Sequence, residues 1–561
     1  MEHRPLPIGA DDFKKVISKG YYYVDKTELI KELLDKKGEV NLFTRPRRFG
    51  KTLNMSMLQC FFENTGDEKA NKENRFLFDG MKIMNAGEKY LSEMGRYPVI
   101  SLSLKSSKQP TWKLAYACLK EAIENEFKRH MAVIPSIPVE ADRKKFEAIV
   151  EHVGADEDYV TSLAFLSRQL SQCCGQPVII LIDEYDVPLE NAYFCGFYQQ
   201  MADFIRSLFE SALKTNPSLY FAVITGCLRI TKESIFTGLN NLEVISITNK
   251  DYGEYFGFVQ PEVDELLSGY GFGRNEELAR EWYDGYLFGD TEVYNPWSIL
   301  NYVKTLCSDP EEFPMPYWSN TSSNDIVRSL IEQSDLNARD EIESLIEGKS
   351  ILKPIHEDIT YEDIHKSQEN LWNFLFFTGY LRQVSRHLDE ETMYVELAIP
   401  NKEVRYIYKN TVRGWFNEQI KGSNLSPLYT ALKNGDTETI SNELSSQLQG
   451  TISFYDYAEN YYHGFLAGIL KNMSGYKITS NRESGMGRPD IVLRTPGVRG
   501  QAIVLELKVA ETFAGLEKGC DNALSQIQGQ RYADGLRSDG YSNILCYGIC
   551  FYRKECMVKK L

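Results

Sequence analysis

The 561-residue sequence predicts an α/β protein made of several folded parts. Three observations support this prediction. Short apolar strands alternate with helix-like segments over the first 255 residues, charged helical stretches dominate the middle, and strands and helices alternate again over the last 111 residues. A chain of this length is too long for one hydrophobic core, so several domains are expected.

Composition narrows the class of protein. Hydrophobic residues make up 43% and charged residues 25%, as in an ordinary globular protein. The start, MEHRPLPIGADDFKK, has no apolar signal-peptide run, and no stretch approaches the roughly 18 apolar residues of a membrane span, which predicts a cytoplasmic protein. The 11 cysteines include no pair of Cys-x-x-Cys motifs, which argues against a zinc ribbon and indicates reduced thiols.

The charge is distributed unevenly. A net charge of −16 weighs against a protein that coats nucleic acid, since phosphate binding depends on lysine and arginine. Residues 451–561 nevertheless carry +3, so the preceding 450 residues carry −19. A polyanion partner is therefore predicted at the C-terminal part.

The first predicted domain, residues 1–255, contains a parallel sheet. A β-rich segment at 39–44 leads through the loop RPRRFGKT into the helix-like LNMSMLQCFFE. Further strands are predicted at 98–104, 177–182 and 219–225, with amphipathic helical segments between them. Short apolar strands alternating with helices indicate a parallel sheet that is covered on both faces.

The loop after the first strand resembles a phosphate-binding loop. A nucleoside triphosphate needs backbone N–H groups, a lysine at the β and γ phosphates and a hydroxyl on Mg²⁺, and Gly50, Lys51 and Thr52 supply the last part of such a loop. The consensus places a first glycine where this chain has Arg45. A lone Gly-Lys-Thr is more often a surface turn, so its context has to decide.

That context is a second apolar strand, which ends in Asp183 and Glu184. In P-loop ATPases an acid at this point holds Mg²⁺ and a neighbouring glutamate polarises the attacking water. The alternative is a buried strand that ends in a solvated acidic turn. Both motifs together favour an ATP and Mg²⁺ site.

The middle of the chain, residues 256–422, is predicted to be mainly helical. A helix-like run at 369–381 precedes TMYVELAIPN, which we interpret as a hairpin, and this order is compatible with a winged helix. Polar, helix-prone residues 423–450 are interpreted as a connector.

The last segment, residues 451–561, is predicted to be a compact α/β domain. Its predicted elements are a helix at 455–470, strands at 476–479, 489–494 and 502–509, a helix at 522–536 and a strand at 543–552.

A pattern for metal-dependent phosphodiester cleavage lies in this domain. Such chemistry needs a divalent ion on hard oxygen ligands, a positioned water and a cation near the developing charge. Asp490 is followed by Glu506 and Lys508, which point to one face of a strand. The alternative is a solvated, salt-bridged strand, but the preceding apolar residues 503–505 predict burial, where charges need a function.

Taken together, these motifs resemble one known family. They are RPRRFGKT at 45–52, IDEYD at 182–186, the segment from Thr225-Gly226 to SIFTGLNN at 234–241, Tyr-Asp-Gly-Tyr at 283–286, Tyr-Asn-Pro-Trp at 294–297 and the Asp490 to Lys508 pattern. The chain is similar to bacterial AAA-ATPase-like proteins fused to a PD-(D/E)XK nuclease-like domain. The resemblance implies a P-loop NTPase sheet, a restriction-endonuclease-like C-terminal α/β domain, and Arg-Pro-Arg-Arg in place of the first glycine.

The resemblance also implies roles at the nucleotide site. Lys51 would neutralise phosphate charge, Thr52 and Asp183 would hold Mg²⁺, and Glu184 would act on the water. Thr225 would sense the γ phosphate. The remaining nucleotide contacts would come from Arg47, Gly50 and Arg229. Arg229 and Lys232 could contact phosphate in the same chain or in a neighbouring subunit. A homo-oligomer is therefore a possible partner arrangement.

At the second site the resemblance makes Asp490 and Glu506 metal ligands and Lys508 the residue that orients the water. A further acid, Glu459 or Glu483, would complete the metal site, and the choice between them stays open. His463, one helical turn from Glu459, is either a ligand or a hydrogen-bonded structural residue.

Three functions remain for the whole chain. The leading hypothesis is an ATP-hydrolysing protein whose nucleotide state controls a Mg²⁺-dependent nuclease acting on DNA through the C-terminal domain. The alternative is a nucleotide-switched regulatory protein whose nuclease-like domain binds without cutting. A third, suggested by Arg45 alone, is an ATPase that binds nucleotide and hardly turns over. The choice of DNA or RNA stays open.

Overall fold

A computed structural model describes residues 3–228, 235–236, 238–320, 330, 336–356, 368–411, 424–449, 459–471, 473–480 and 489–561. The chain forms two compact units, one of Met1–Ser322 with Ser350–Tyr406, the other of Ser323–Lys349 with Ile407–Leu561. All 11 cysteines are free thiols. Across the described ranges, none of the helices is both long and apolar enough to cross a membrane.

A five-stranded parallel sheet organises the first unit, which confirms the predicted architecture. Its strands are β1 (Val40–Thr44), β2 (Val99–Ser103), β3 (Val178–Asp183), β4 (Leu219–Gly226) and β5 (Leu242–Ile245), in the order β2-β3-β4-β1-β5. Every residue of β1 and β3 is buried and most are apolar or β-branched, as expected of strands that are covered on both faces.

The helices around this sheet include the one that follows the phosphate loop, Lys51–Phe62. The others before β5 are Phe13–Ser18, Glu28–Lys36, Glu68–Phe76, Glu88–Leu91, Trp112–Arg129, Glu140–Val150, Asp156–Val160, Ser162–Cys174, Val187–Cys195 and Tyr198–Leu213. Short 3₁₀ turns lie at Lys82–Asn85, Lys105–Ser107 and Met131–Ser136.

The rest of the first unit is mainly helical, with two small sheets. Its helices are Gln260–Gly269, Glu276–Tyr283, Pro296–Ser308 and Gln368–Phe377, and residues 402–406 begin a further helix. Short 3₁₀ turns lie at Gly253–Tyr255, Gly273–Asn275 and Tyr317–Asn320. A two-stranded sheet joins β6 (Tyr286–Phe288) to β7 (Thr291–Val293). A three-stranded antiparallel sheet has the order β8-β10-β9, with β8 at Ile351–Pro354, β9 at Arg382–Asp389 and β10 at Thr392–Ala398.

The hairpin interpretation of TMYVELAIPN was wrong in detail. That segment is the single strand β10, and its hairpin partner is the preceding strand β9. The turn falls at Glu390, whose φ is 51°. Strand β9 is largely exposed and mostly polar, so its sequence has no continuous apolar run by which a buried strand is identified.

A buried carboxyl, Glu403, ties this region together and makes its stability depend on pH. It accepts hydrogen bonds from Ser298 Oγ and the Trp318 N–H, both at 2.8 Å. Burial raises the pKa of Glu403 from 4.5 to about 8. Between these values the folded chain keeps the proton while the unfolded chain loses it, so the free energy of unfolding falls as pH rises from 4.5 to about 8, then levels off.

We expect this loss to reach about 1.4 kcal/mol per pH unit inside that window. Urea unfolding at about pH 6 and about pH 8 measures it. Glu403→Gln removes the titrating group and should flatten the dependence. An equal slope in wild type and Glu403→Gln would contradict the assignment.

The second unit contains a five-stranded mixed sheet in the order β11-β12-β13-β14-β15. The strands are β11 (Lys477–Ser480), β12 (Ile491–Arg494), β13 (Gln501–Val509), β14 (Asn543–Tyr552) and β15 (Glu555–Lys560), with β13 and β14 parallel. The helices are Leu336–Ile346, Ser426–Asn434, Thr437–Gln449, Glu459–Leu470, Leu516–Gly529 and Tyr532–Ser538, with a 3₁₀ turn at Phe513–Gly515.

The single helix predicted at 522–536 was wrong, because the segment forms two helices. The chain breaks at Arg531, whose φ of 53° is left-handed and cannot continue an α-helix. Gly529 ends the first helix and is the sequence signal at this break, whereas the left-handed residue itself is Arg531.

Helices Ser426–Asn434 and Thr437–Gln449 come from the segment that was interpreted as a connector. Their apolar side chains lie in the same core cluster as residues of β12, β13 and β14. The Tyr547 hydroxyl donates to the Leu432 carbonyl at 2.7 Å, and the Val558 N–H donates to Ser441 Oγ at 3.0 Å. These helices therefore cover one face of the C-terminal sheet.

Candidate functional site

The first candidate site is the loop between β1 and helix Lys51–Phe62. The chain turns at Arg48 and Gly50, with φ of 70° and 83°. Glycine adopts this left-handed conformation freely, whereas Arg48 is held in it against its preference. The turn brings the free N–H groups of the helix N-terminus to the end of the sheet, where an anion can bind.

The ammonium of Lys51 lies over this loop. Its Nζ donates to the carbonyls of Arg45 and Pro46, at 2.8 and 2.9 Å, and lies 3.6 Å from Cys227 Sγ. Although the side chain is buried, both of these carbonyls belong to the loop itself. The loop thus holds its own lysine in place.

Thr52, Asp183 and Thr225 meet at the carboxyl ends of the strands. Thr52 Oγ1 donates to Asp183 Oδ2 at 2.7 Å, and Thr225 Oγ1 donates to Asp183 Oδ1. The register explains the meeting, since β4 pairs with both β1 and β3 and their ends lie at one edge. The carboxylate of Asp183 is therefore oriented by two hydroxyls.

Glu184 follows in a left-handed conformation, with φ of 54°. Its N–H donates to Thr225 Oγ1 at 3.3 Å. Burial and, second, the charge of Asp183 raise the pKa of the Glu184 carboxyl. A raised pKa suits a carboxylate that polarises water.

Two acids that the sequence analysis did not assign complete this site. Arg47 Nη2 pairs with Glu190 Oε2 at 2.6 Å, so its guanidinium is held against the helix that follows β3. Asp186 Oδ2 accepts the N–H groups of Cys227 and Leu228, at 2.7 and 3.2 Å. The spacing of Asp186 and Glu190, one helical turn apart after the acidic strand end, was the available signal.

Gly226 shows how tightly this edge is packed. A Cβ built on it would lie 2.5 Å from the ring of Tyr185, whose hydroxyl donates to the Leu228 carbonyl at 2.6 Å. Any side chain at position 226 would therefore displace the acidic turn from the end of β4.

Asp186 is expected to stabilise the turn after β4. Asp186→Ala should lower the free energy of unfolding by about 2 kcal/mol, because two buried N–H groups lose their acceptor. Urea denaturation measures the change. Asp186→Asn keeps one acceptor oxygen and should cost less, and equal losses in the two variants would contradict this role.

The second candidate site lies where β12 and β13 pair. Ile491 is opposite Leu505, so Asp490 lies beside the start of the Glu506 to Lys508 segment. Asp490 Oδ2 accepts the Leu507 N–H at 2.8 Å. This bond fixes the Asp490 carboxylate to the strand that carries the other two charged residues.

Glu506 is only 1% exposed, and its Oε1 lies 3.5 Å from Lys508 Nζ. Its Oε2 is buried and has no hydrogen-bond partner in the described part of the chain. Burial, followed by the charge of Asp490, raises the pKa of Glu506 to about 7, against the opposing effect of Lys508. A buried oxygen without a partner next to a second carboxylate is a suitable ligand for a hard cation.

The donor atoms at both sites are therefore compatible with Mg²⁺. At the second site, no group of three His, Cys, Asp or Glu side chains arranged to hold a metal occurs among the residues that the structure describes. The side chain of Glu459 and all of Glu483 lie outside those residues, as do Arg229 and Lys232 at the first site.

Other polar residues surround the second site. His463 Nε2 donates to the main-chain carbonyl of Asp490 at 3.0 Å, so this histidine supports the backbone that carries the carboxylate. Gln526 Nε2 lies 3.5 Å from the Tyr532 hydroxyl. Burial, followed by the charges of Glu506 and Asp490, raises the pKa of Tyr532.

Comparison with known proteins assigns the two candidate sites to two different family models. Residues 7–236 match the model of a family described as a predicted AAA-ATPase, and residues 457–561 match that of the PD-(D/E)XK nuclease superfamily. A relative from Azotobacter chroococcum mcd 1, described as an uncharacterized protein in the vnfD 5′ region, is 28% identical over 335 residues. That alignment covers 59% of this chain and 57% of the relative.

Proposed function

We propose, from the premise that residues 7–236 form an AAA-ATPase-like domain and residues 457–561 a PD-(D/E)XK nuclease-like domain, that this chain hydrolyses ATP and cleaves DNA with Mg²⁺. The observation that carries the proposal is the Thr52–Asp183 hydrogen bond of 2.7 Å beside the buried ammonium of Lys51. A hydroxyl, an acid and a lysine are the three groups that a magnesium nucleotide requires.

In the proposed ATPase, Lys51 neutralises charge on the β and γ phosphates. Thr52 and Asp183 hold Mg²⁺, which when bound shields the phosphate charge. Glu184 accepts a hydrogen bond from the attacking water, while Thr225 keeps Asp183 and the backbone of Glu184 in register. Gly50, Arg47 and Arg229 are the proposed additional nucleotide contacts.

In the proposed nuclease, Asp490 and Glu506 hold the metal, together with Glu459 or Glu483. Lys508 orients the water and offsets the charge that develops on the phosphate. The support for this assignment is the buried, unpartnered Oε2 of Glu506 beside Lys508. The positive balance of the C-terminal part is compatible with a nucleic acid partner.

The proposal keeps an ATPase domain at 1–255, a middle domain at 256–422 and a nuclease domain at 451–561, and it adds the two helices of the predicted connector, 423–450, to the nuclease domain whose core they share. It places the protein in the cytoplasm. The proposal includes a homo-oligomer if Arg229 and Lys232 contact the nucleotide of a neighbouring subunit.

One assay tests both activities. Purified protein is mixed with ATP, Mg²⁺ and DNA, and phosphate release and strand cleavage are followed together. Glu184→Gln should lower phosphate release while ATP still binds, and Asp490→Ala should abolish cleavage while phosphate release continues. Cleavage unchanged by Asp490→Ala would exclude the nuclease function, and release unchanged by Glu184→Gln would exclude the hydrolytic role.

The second candidate function is a nucleotide-switched regulator that binds a partner without cutting. The net charge of −16 favours it, since the chain as a whole repels polyanions. Calorimetric titration with Mn²⁺ distinguishes the two functions. Binding that disappears in Glu506→Ala supports the nuclease, and no binding in wild type supports the regulator.

A further inference from the structure

Arg45 occupies the position where a standard phosphate loop has its first glycine, and its side chain is fully buried, with 0% exposure. Its guanidinium lies between two aromatic rings, 5.0 Å from the centre of Phe288 and 5.3 Å from that of Phe256. Its Nη1 donates to the carbonyls of Thr44 and Ile245, at 3.0 and 2.9 Å. The side chain therefore joins the ends of β1 and β5.

The main chain of the same residue makes two further contacts. The Arg45 N–H donates to the Gly226 carbonyl at 3.0 Å, at the end of β4. Its carbonyl accepts the hydrogen bond from Lys51 Nζ at 2.8 Å. Through one residue, three strand ends and the phosphate-binding lysine are held in a fixed relation.

The charge of Arg45 is not matched by an acid. Within the described residues it forms no ion pair, and both Nε and Nη2 are buried without hydrogen-bond partners. Burial lowers the pKa of Arg45 to about 9, which leaves it a cation at neutral pH. A buried cation is unfavourable unless an anion compensates it, so this charge needs a partner that the described chain does not contain.

The backbone at position 45 does not need a glycine, because the left-handed residues of the loop are Arg48 and Gly50. The left-handed turn of this loop is thus formed at Arg48 and Gly50. What position 45 supplies in this chain is a buried guanidinium at the ends of β1 and β5.

We propose that Arg45 is a positioning residue for the nucleotide. Its guanidinium anchors Arg45 to the ends of β1 and β5, its main-chain carbonyl holds Lys51, and its charge is compensated by the phosphates bound to the loop. This inference rests on the proposed binding of ATP. It assigns Arg45 an electrostatic effect that acts through the loop without direct contact with the ligand. The effect must therefore grow with the number of phosphates.

Calorimetric titration of the full chain with ATP, ADP and AMP tests this. Arg45→Met keeps an apolar side chain of similar length between Phe256 and Phe288 and removes the charge. We expect it to weaken ATP binding about tenfold, ADP binding less, and AMP binding least, because the interaction follows ligand charge. Equal losses for the three nucleotides, or no loss, would overturn the proposal.

Two further variants separate the effect of the Arg45 charge from that of the side-chain shape. Arg45→Lys keeps the charge and should retain most of the preference for more phosphates, with a moderate loss from the missing Ile245 contact. Arg45→Gly restores the consensus loop and should bind ATP as weakly as Arg45→Met, so wild-type affinity in Arg45→Gly would overturn the proposal. Circular dichroism shows whether Arg45→Met folds. If it does not, the ATP affinities of Arg45→Lys and Arg45→Gly are compared, and equally low affinities contradict a role for the charge.

Wild-type protein separates this inference from the proposed function. If wild type binds no ATP, the proposed ATPase fails. If wild type binds ATP and all three variants bind it equally well, only the role of Arg45 fails.

Discussion

Lys51→Ala should reduce the kcat of ATP hydrolysis by about 10²–10³-fold, the usual effect of removing one charged donor from a transition state. The ammonium of Lys51 is buried and held by two loop carbonyls, so its charge has a fixed position in the loop. Phosphate release at saturating ATP measures the change. Mg²⁺-dependent DNA cleavage without nucleotide should persist, because that site lies in the other unit.

A matched control is Lys89→Ala, which removes an exposed lysine that pairs with Asp35. It should leave hydrolysis unchanged, since a surface ion pair contributes little. Hydrolysis by Lys51→Ala at the wild-type rate would mean that the loop does not bind the phosphates.

Glu506→Ala should remove divalent-cation binding at the second site and lower DNA cleavage about 10³-fold, equivalent to about 4 kcal/mol of transition-state stabilisation. Glu506 provides the buried Oε2 that has no hydrogen-bond partner in the described chain. Cleavage of a labelled duplex and Mn²⁺ calorimetry give the two readouts. Lys508→Ala should separate them by keeping cation binding while it lowers cleavage.

The control for this site is Glu517→Ala, an exposed acid of the same unit that pairs with Lys559. Both cation binding and cleavage should stay at the wild-type level. If Glu517→Ala and Glu506→Ala lose cleavage equally, the activity does not come from the proposed site.

The parallel sheet was predictable because its strands are buried on both faces and therefore appear as short apolar runs. Strands β1, β3 and β4 lie within two residues of the predicted bounds. Exposed elements were not predictable by the same signal. Strand β9 alternates poorly, and the break at Arg531 depends on a left-handed residue that no local sequence rule requires.

The residues that would bind phosphate and Mg²⁺ were predictable from the sequence, whereas the residues that hold them in place were less so. Lys51, Thr52 and Asp183 are adjacent in the structure because the loop and the acid follow strands that both flank β4. Asp186 and Glu190 were missed, since their partners are backbone N–H groups and Arg47, and such pairing depends on the fold. Arg45 departs from the consensus phosphate-loop motif, and the structure shows that its side chain is buried.

Helices Ser426–Asn434 and Thr437–Gln449 have a practical consequence for dissecting this protein. Leu428, Leu432, Ile440, Leu444 and Leu448 close one side of the apolar core under the C-terminal sheet. A fragment cut at residue 451, where the nuclease domain was predicted to begin, would expose the underside of that sheet to water and invite aggregation. The separable piece must carry both helices, so loss of activity in a shorter fragment would report misfolding and not a missing catalytic group.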